Sequence, residues 1–86
     1  MKLQFSIGEM SKIHNVPIGT LRYYEQIGLF RPSKVNQDSG YRYYTAEQFE
    51  RLNTINYLKH LGLSLKAIMD HLESSDEQHL LKRLNF

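Results

Sequence analysis

Three features of this sequence predict a mainly α fold: a helix-turn-helix pair, a β-hairpin, two further helices and a short C-terminal helix. Apolar residues recur at helical spacing in successive stretches, several of which begin at a capping residue. The first two stretches are separated only by the short turn around Asn15 and Pro17. Between the second and third, a polar Asn36-Gln37-Asp38-Ser39-Gly40 cluster divides Val35 from the aromatic run Tyr41-Arg42-Tyr43-Tyr44.

Taken in order, Ser6 and Glu9 form a capping box, and Ile7, Met10 and Ile13 carry the periodicity of a helix over residues 7–14. Asn15 tolerates the left-handed backbone of a tight turn, and Pro17 suits the first position of the next helix. That helix spans 17–27 and stops at Gly28, with Leu21, Tyr24 and Ile27 or Gly28 on one stripe and Gly19, Arg22, Tyr23 and Gln26 on the other. Residues 30–44 then read as strand, turn and aromatic strand, a hairpin of the wing kind.

Thr45 and Gln48 make a second capping box before Phe49, Leu52, Ile55 and Leu58, on a helix that ends at Gly62. Ser64 caps a fourth helix, in which Leu65, Ile68, Met69 and Leu72 follow the i, i+3, i+4, i+7 rule and need an apolar partner. Ser75 and Gln78 offer one more capping box, ahead of a separate last helix lined by Leu80, Leu81 and Leu84.

Composition narrows the function. A chain of 86 residues holds one domain, and its 41% hydrophobic content reads as globular. It has no cysteine, which excludes disulfides, thiolate metal sites and redox switches. No apolar run approaches the roughly 20 residues of a membrane span. Residues 1–7 lack the apolar core of a signal peptide, so the expected location is the cytoplasm, with no membrane partner. The net charge of +2 is unevenly placed: residues 1–45 carry six Lys/Arg against three acids, and residues 46–86 carry five against six. A basic N-terminal half suits phosphate binding.

The segments Phe5-Ser6-Ile7-Gly8-Glu9, Thr20-Leu21-Arg22-Tyr23-Tyr24-Glu25, Gly28-Leu29, Gly40-Tyr41-Arg42-Tyr43-Tyr44-Thr45 and Leu58-Lys59-His60-Leu61-Gly62 together resemble the DNA-binding domain of MerR-type transcription regulators. The similarity covers about residues 5–74, in the same order and spacing. It implies a winged helix-turn-helix over 1–74 that binds double-stranded promoter DNA. It further implies a dimer that distorts a promoter with an overlong spacer so that RNA polymerase can use it. Residues 75–86 would be the start or remnant of a dimerisation helix, making a homodimer through 76–86 the family route. Three departures stand out: only Asp76–Phe86 is left of that long helix, Gly19 replaces a longer polar side chain, and Asn15 replaces a turn glycine.

The candidate DNA-binding residues are Thr20, Arg22, Tyr23, Tyr24, Tyr41, Arg42 and Lys59. Arg22 lies opposite Leu21, where its guanidinium can bridge phosphate oxygens or a guanine edge. Tyr23 shares that stripe and can reach a phosphate or a thymine methyl. Tyr24 falls on the core stripe, so packing against the first helix and DNA contact are both open. Thr20 sits where recognition helices place base-reading side chains, though it can equally stabilise the first turn. Strand alternation sets Tyr41 and Tyr43 on one face and Arg42 and Tyr44 on the other. The resemblance implies backbone or minor-groove contacts from Tyr41 and Arg42, while Tyr43 reads better as a core aromatic. Lys59 and the helix start at Ser64 can bind phosphate together.

The four histidines match no metal-ligand spacing, and neither a glycine-rich phosphate loop nor a Ser/His/Asp grouping is evident, so no metal, cofactor or enzymatic activity is expected. Two other functions fit parts of the pattern. An excisionase-like or architectural DNA-bending protein would need no coiled-coil dimer. A helical protein-interaction module would use Leu80, Leu81, Leu84 and Phe86, yet would have no need of Arg22, Tyr23 and Arg42.

Overall fold

The computed structural model describes the backbone of residues 3–84 and the side chains of residues 3–74. In chain order the elements are β1 (Phe5–Ser6), α1 (Ile7–His14), α2 (Ile18–Ile27), β2 (Lys34–Val35), β3 (Arg42–Tyr44), a 3₁₀ turn (Ala46–Gln48), α3 (Phe49–His60) and α4 (Leu65–Leu84). They divide into compact units of residues 1–54 and 55–86, and α3 contributes to both.

Local chemistry sets the limits of the helices in the first unit. The Ser6 hydroxyl accepts from the Glu9 N–H at 3.1 Å and the Glu9 carboxylate accepts from the Ser6 N–H at 3.0 Å, closing the capping box that starts α1. Asn15 ends it in the left-handed region, at φ 54° and ψ 48°. Pro17 flanks α2 instead of opening it: its carbonyl accepts from Thr20 and Leu21, and the helix starts at Ile18. At the other end Gly28 takes φ 79°, where a side chain would be strained, and the Leu29 N–H reaches back to the Tyr24 carbonyl at 2.9 Å. That turn delivers Leu29 and Phe30 into the core.

The hairpin is part of a three-stranded antiparallel sheet with strand order β1-β3-β2. Phe5 pairs with Tyr44 and Ser6 with Tyr43 on one side of β3, and Lys34 pairs with Tyr43 and Val35 with Arg42 on the other. The sequence predicted β2 and β3 but not β1, which has two residues and so shows no alternation. At the hairpin tip the Asn36 side chain accepts from the Asp38 and Ser39 N–H groups, and Gly40 turns the chain at φ 76°.

Met10, Val16, Leu21, Tyr24, Leu29, Phe30, Tyr44 and Leu52 form the buried side chains of this unit. Phe30 and Tyr44 stack with ring centroids 5.4 Å apart and planes 9° from parallel. Phe49 meets Phe5 at 4.9 Å and the His14 ring edge-on at 4.7 Å. The Thr45 N–H donates to the Gln48 side chain at 3.0 Å, as the second capping box requires, but the first turn is 3₁₀ and the α-helix starts only at Phe49.

In the second unit Ile55, Ile68 and Leu72 are buried. The Gly62 turn at φ 92° ends α3, and the Ser64 hydroxyl accepts from the Ala67 N–H at 3.1 Å to cap α4. Here the expectation of a separate last helix is corrected: α4 runs unbroken from Leu65 to Leu84. Ser75 is a good cap, but a capping residue does not interrupt a helix, and the stretch contains no proline or glycine that would. The side chains of Leu80, Leu81 and Leu84, expected along one face, lie outside the described residues, as does Phe86.

Tyr44 generates a prediction. Its hydroxyl is buried without a hydrogen-bond partner among the described residues. Burial, reinforced by the negative charge of Glu25 and opposed by Arg42, raises its pKa from 10.0 to about 12. The folded protein therefore holds this proton where the unfolded chain releases it, so stability is full below pH 10 and falls as pH rises from 10 towards 12. Alkaline thermal melts should show Tyr44→Phe losing about 2–3 kcal/mol less over that range than the unmodified protein. At neutral pH, removing an unpartnered hydroxyl should cost little, within about 1 kcal/mol.

Candidate nucleic-acid interface

Helix α2 divides its side chains between core and solvent along the two predicted stripes. Leu21 and Tyr24 face inward, and Tyr24 is only 1% exposed. Gly19, Arg22, Tyr23 and Gln26 are exposed, joined by Ile18 at the helix start, and Tyr23 keeps 49% of its surface. Thr20 is half-buried, one residue before the inward Leu21. A Cβ at Gly19 would meet nothing within 4 Å, so its lack of a side chain answers no crowding inside the protein. The result is a ridge with a guanidinium, a phenol and an amide pointing outward, each able to donate to phosphate or to a base edge.

The wing follows the predicted alternation. Tyr44 enters the core, and Arg42, two residues earlier on the same face, reaches α2, where its Nε–H donates to Glu25 Oε1. Its Nη1 also donates to the Gly40 carbonyl at 3.3 Å. Tyr41 is 67% exposed, and Tyr43 is half-buried in the sheet. The whole Asn36–Gly40 tip is exposed. Between α2 and the wing, Arg31 and Lys34 are also exposed, cations for which the sequence offered no signal beyond charge. In the second unit Lys59 is exposed in the last turn of α3, and exposed Ser64 caps α4.

Most of the residues singled out from the sequence are thus solvent-accessible, and the Glu25–Arg42 ion pair ties α2, the helix that carries Arg22 and Tyr23, to the wing strand. For Tyr24 the structure favours packing over DNA contact, the two roles that the sequence left open: its place on the Leu21 stripe buries it to 1% exposure. Glu25 is the residue that sequence reasoning missed. It stands inside the Leu-Arg-Tyr-Tyr-Glu segment, but its partner is 17 positions away and no local pattern links them. His14 contacts Asn53 at 3.1 Å, and among the described residues no three His, Asp or Glu side chains gather where a metal could sit. No described helix is long and apolar enough to cross a membrane.

A family model described as MerR HTH family regulatory protein matches residues 5–75. The chain belongs to the MerR family. It is 50% identical over 64 residues to the multidrug-efflux transporter 1 regulator of Bacillus subtilis, covering 74% of this chain and 23% of that protein. It is 44% identical over 63 residues to the transcriptional regulator BrlR of Pseudomonas aeruginosa, covering 73% of this chain and again 23% of the relative. The chain therefore spans about a quarter of the length of these two curated relatives. Among solved structures, EcmrR in its DNA complex within EcmrR-RPo superposes with a TM-score of 0.80 at 38% identity, over 92% of this chain and 30% of that one. MtaN, the N-terminus of the Bacillus subtilis multidrug transporter activator, gives a TM-score of 0.74 at 30% identity, over 92% of this chain and 83% of that one. The MerR fold class inferred from the motifs is thereby confirmed: a mainly helical winged helix-turn-helix.

Because Arg22 is exposed on α2, its replacement separates interface from fold. Arg22→Ala should leave thermal stability within about 0.5 kcal/mol. Fluorescence titration of the same variant should show duplex binding weakened by about 1–3 kcal/mol.

Proposed function

We propose that this chain binds double-stranded promoter DNA in transcription control, with α2 in the major groove and the β2–β3 wing beside it. The observation that carries this reading is the outward ridge of Arg22, Tyr23 and Gln26 on a helix whose opposite stripe is buried, beside a wing joined to the same helix. Arg22 and Tyr23 take base-edge and phosphate contacts, Thr20 lies at the start of the groove-facing helix, and Tyr41 and Arg42 contact the backbone from the wing. Lys59 and the capped start of α4 bind a further phosphate. The EcmrR–DNA complex, at 38% identity, supports this assignment.

The same kinship supports a cytoplasmic regulator, without catalytic activity, that acts as a homodimer and distorts the promoter so that RNA polymerase can engage it. Pairing through residues 76–86 is the route, and their side chains lie outside the described residues. Family membership favours this reading over the architectural and protein-interaction alternatives.

A salt-series titration of the duplex upstream of the coding region, with light scattering of the complex, tests it. Two chains on a palindrome with strongly salt-dependent affinity are expected. Monomers stacking on direct repeats would shift the reading to DNA architecture, and no binding to any duplex at low salt would reject both. In that assay Lys59→Ala should weaken all duplexes alike and lower the salt slope by about 1.

A further inference from the structure

We propose that Glu25 is a positioning residue for DNA binding: it holds the Arg42 guanidinium in the orientation from which the wing grips phosphate. The inference rests on the duplex-binding reading above and adds a residue that makes no DNA contact itself. Glu25 is in the last turn of α2 and Arg42 begins β3, so their ion pair crosses from the groove-facing helix to the wing. The bond uses Nε–H, and a second donor on Nη1 goes to the Gly40 carbonyl at 3.3 Å. A guanidinium carries five N–H donors in a rigid planar fork, so anchoring two of them fixes the plane and leaves the others for an anion. The side chains are 31% and 26% exposed, shielded enough to hold one geometry and open enough to be reached.

The alternative role for this carboxylate predicts the opposite sign. An acidic group beside a DNA-facing surface repels phosphate, and neutralising it ordinarily raises affinity. A carboxylate that orients an arginine does the reverse, because its removal frees a long side chain that must then be ordered at the moment of binding.

The test is a double-mutant cycle on the 86-residue chain, read by anisotropy with a fluorescein-labelled random-sequence duplex across a salt series. Such a probe reports phosphate contacts without needing the operator. Glu25→Met, which removes the acceptor oxygen together with the charge, should weaken binding in the unmodified chain by about threefold to tenfold. In an Arg42→Ala background the same substitution should strengthen binding, since only repulsion is left to remove. That reversal of sign is the signature of positioning, and a purely structural role would not produce it. Thermal melts accompany each variant, and Glu25→Leu, likewise uncharged, without an oxygen acceptor and a good helix former, is read in the same way if Glu25→Met melts below the assay temperature.

Tighter binding in both backgrounds would make Glu25 a simple repulsive charge and overturn the inference. Equal weakening in both, or no change in either, would overturn it too. If Arg42→Ala alone leaves affinity and salt slope untouched, the wing contact itself is wrong. Failure of the unmodified chain to bind the duplex at low salt would remove the underlying reading and this inference with it.

Discussion

The alternation of β3 is the constraint on which the rest of this domain depends. As the central strand of the sheet it bonds to β1 and β2, and its two same-face residues, Arg42 and Tyr44, both turn toward the body of the unit. Tyr44 stacks on Phe30, which the Gly28 turn has just delivered from the end of α2. Arg42 pairs with Glu25 one turn earlier on the same helix. One short strand therefore ties the wing to α2 at an apolar point and at a polar one. A slip of one residue would exchange Tyr43 for Tyr44 and break both.

The two ties differ in kind. Stacking and burial of large aromatic rings supply cohesion in a unit with few buried side chains. The ion pair is part-exposed, and pairs of that sort contribute only about 0–1 kcal/mol to stability. Its value lies in direction, since it sets where a cation faces when an anion arrives. The same division runs along α2, where Leu21 and Tyr24 hold the helix while Arg22 and Tyr23 remain exposed. A recognition surface has to be rigid underneath and unoccupied on top.

Much of the fold was legible because its signals are local. The Ser6/Glu9 box, Asn15, Gly28 and Ser64 mark helix limits through hydrogen bonds and backbone angles within a few residues. The wing was legible through its polar turn and the aromatic strand beyond it. Less visible were features that depend on the absence of a signal or on distant partners. The Ser75 box suggested a new helix, yet nothing in the chain breaks the old one. Strand β1 exists only because β3 is there to pair with it.

By itself the sequence determined both limits of α1, the ends of α2 and α3, the start of α4, the exposed and buried stripes of α2, the hairpin and, through its paired motifs, membership of the MerR family. Tertiary structure alone decided that the hairpin gains a third strand and that Arg42 is held by Glu25. The reason is the range over which each force acts. Capping and periodicity work between neighbours along the chain, whereas burial and ion pairing depend on which residues folding brings together.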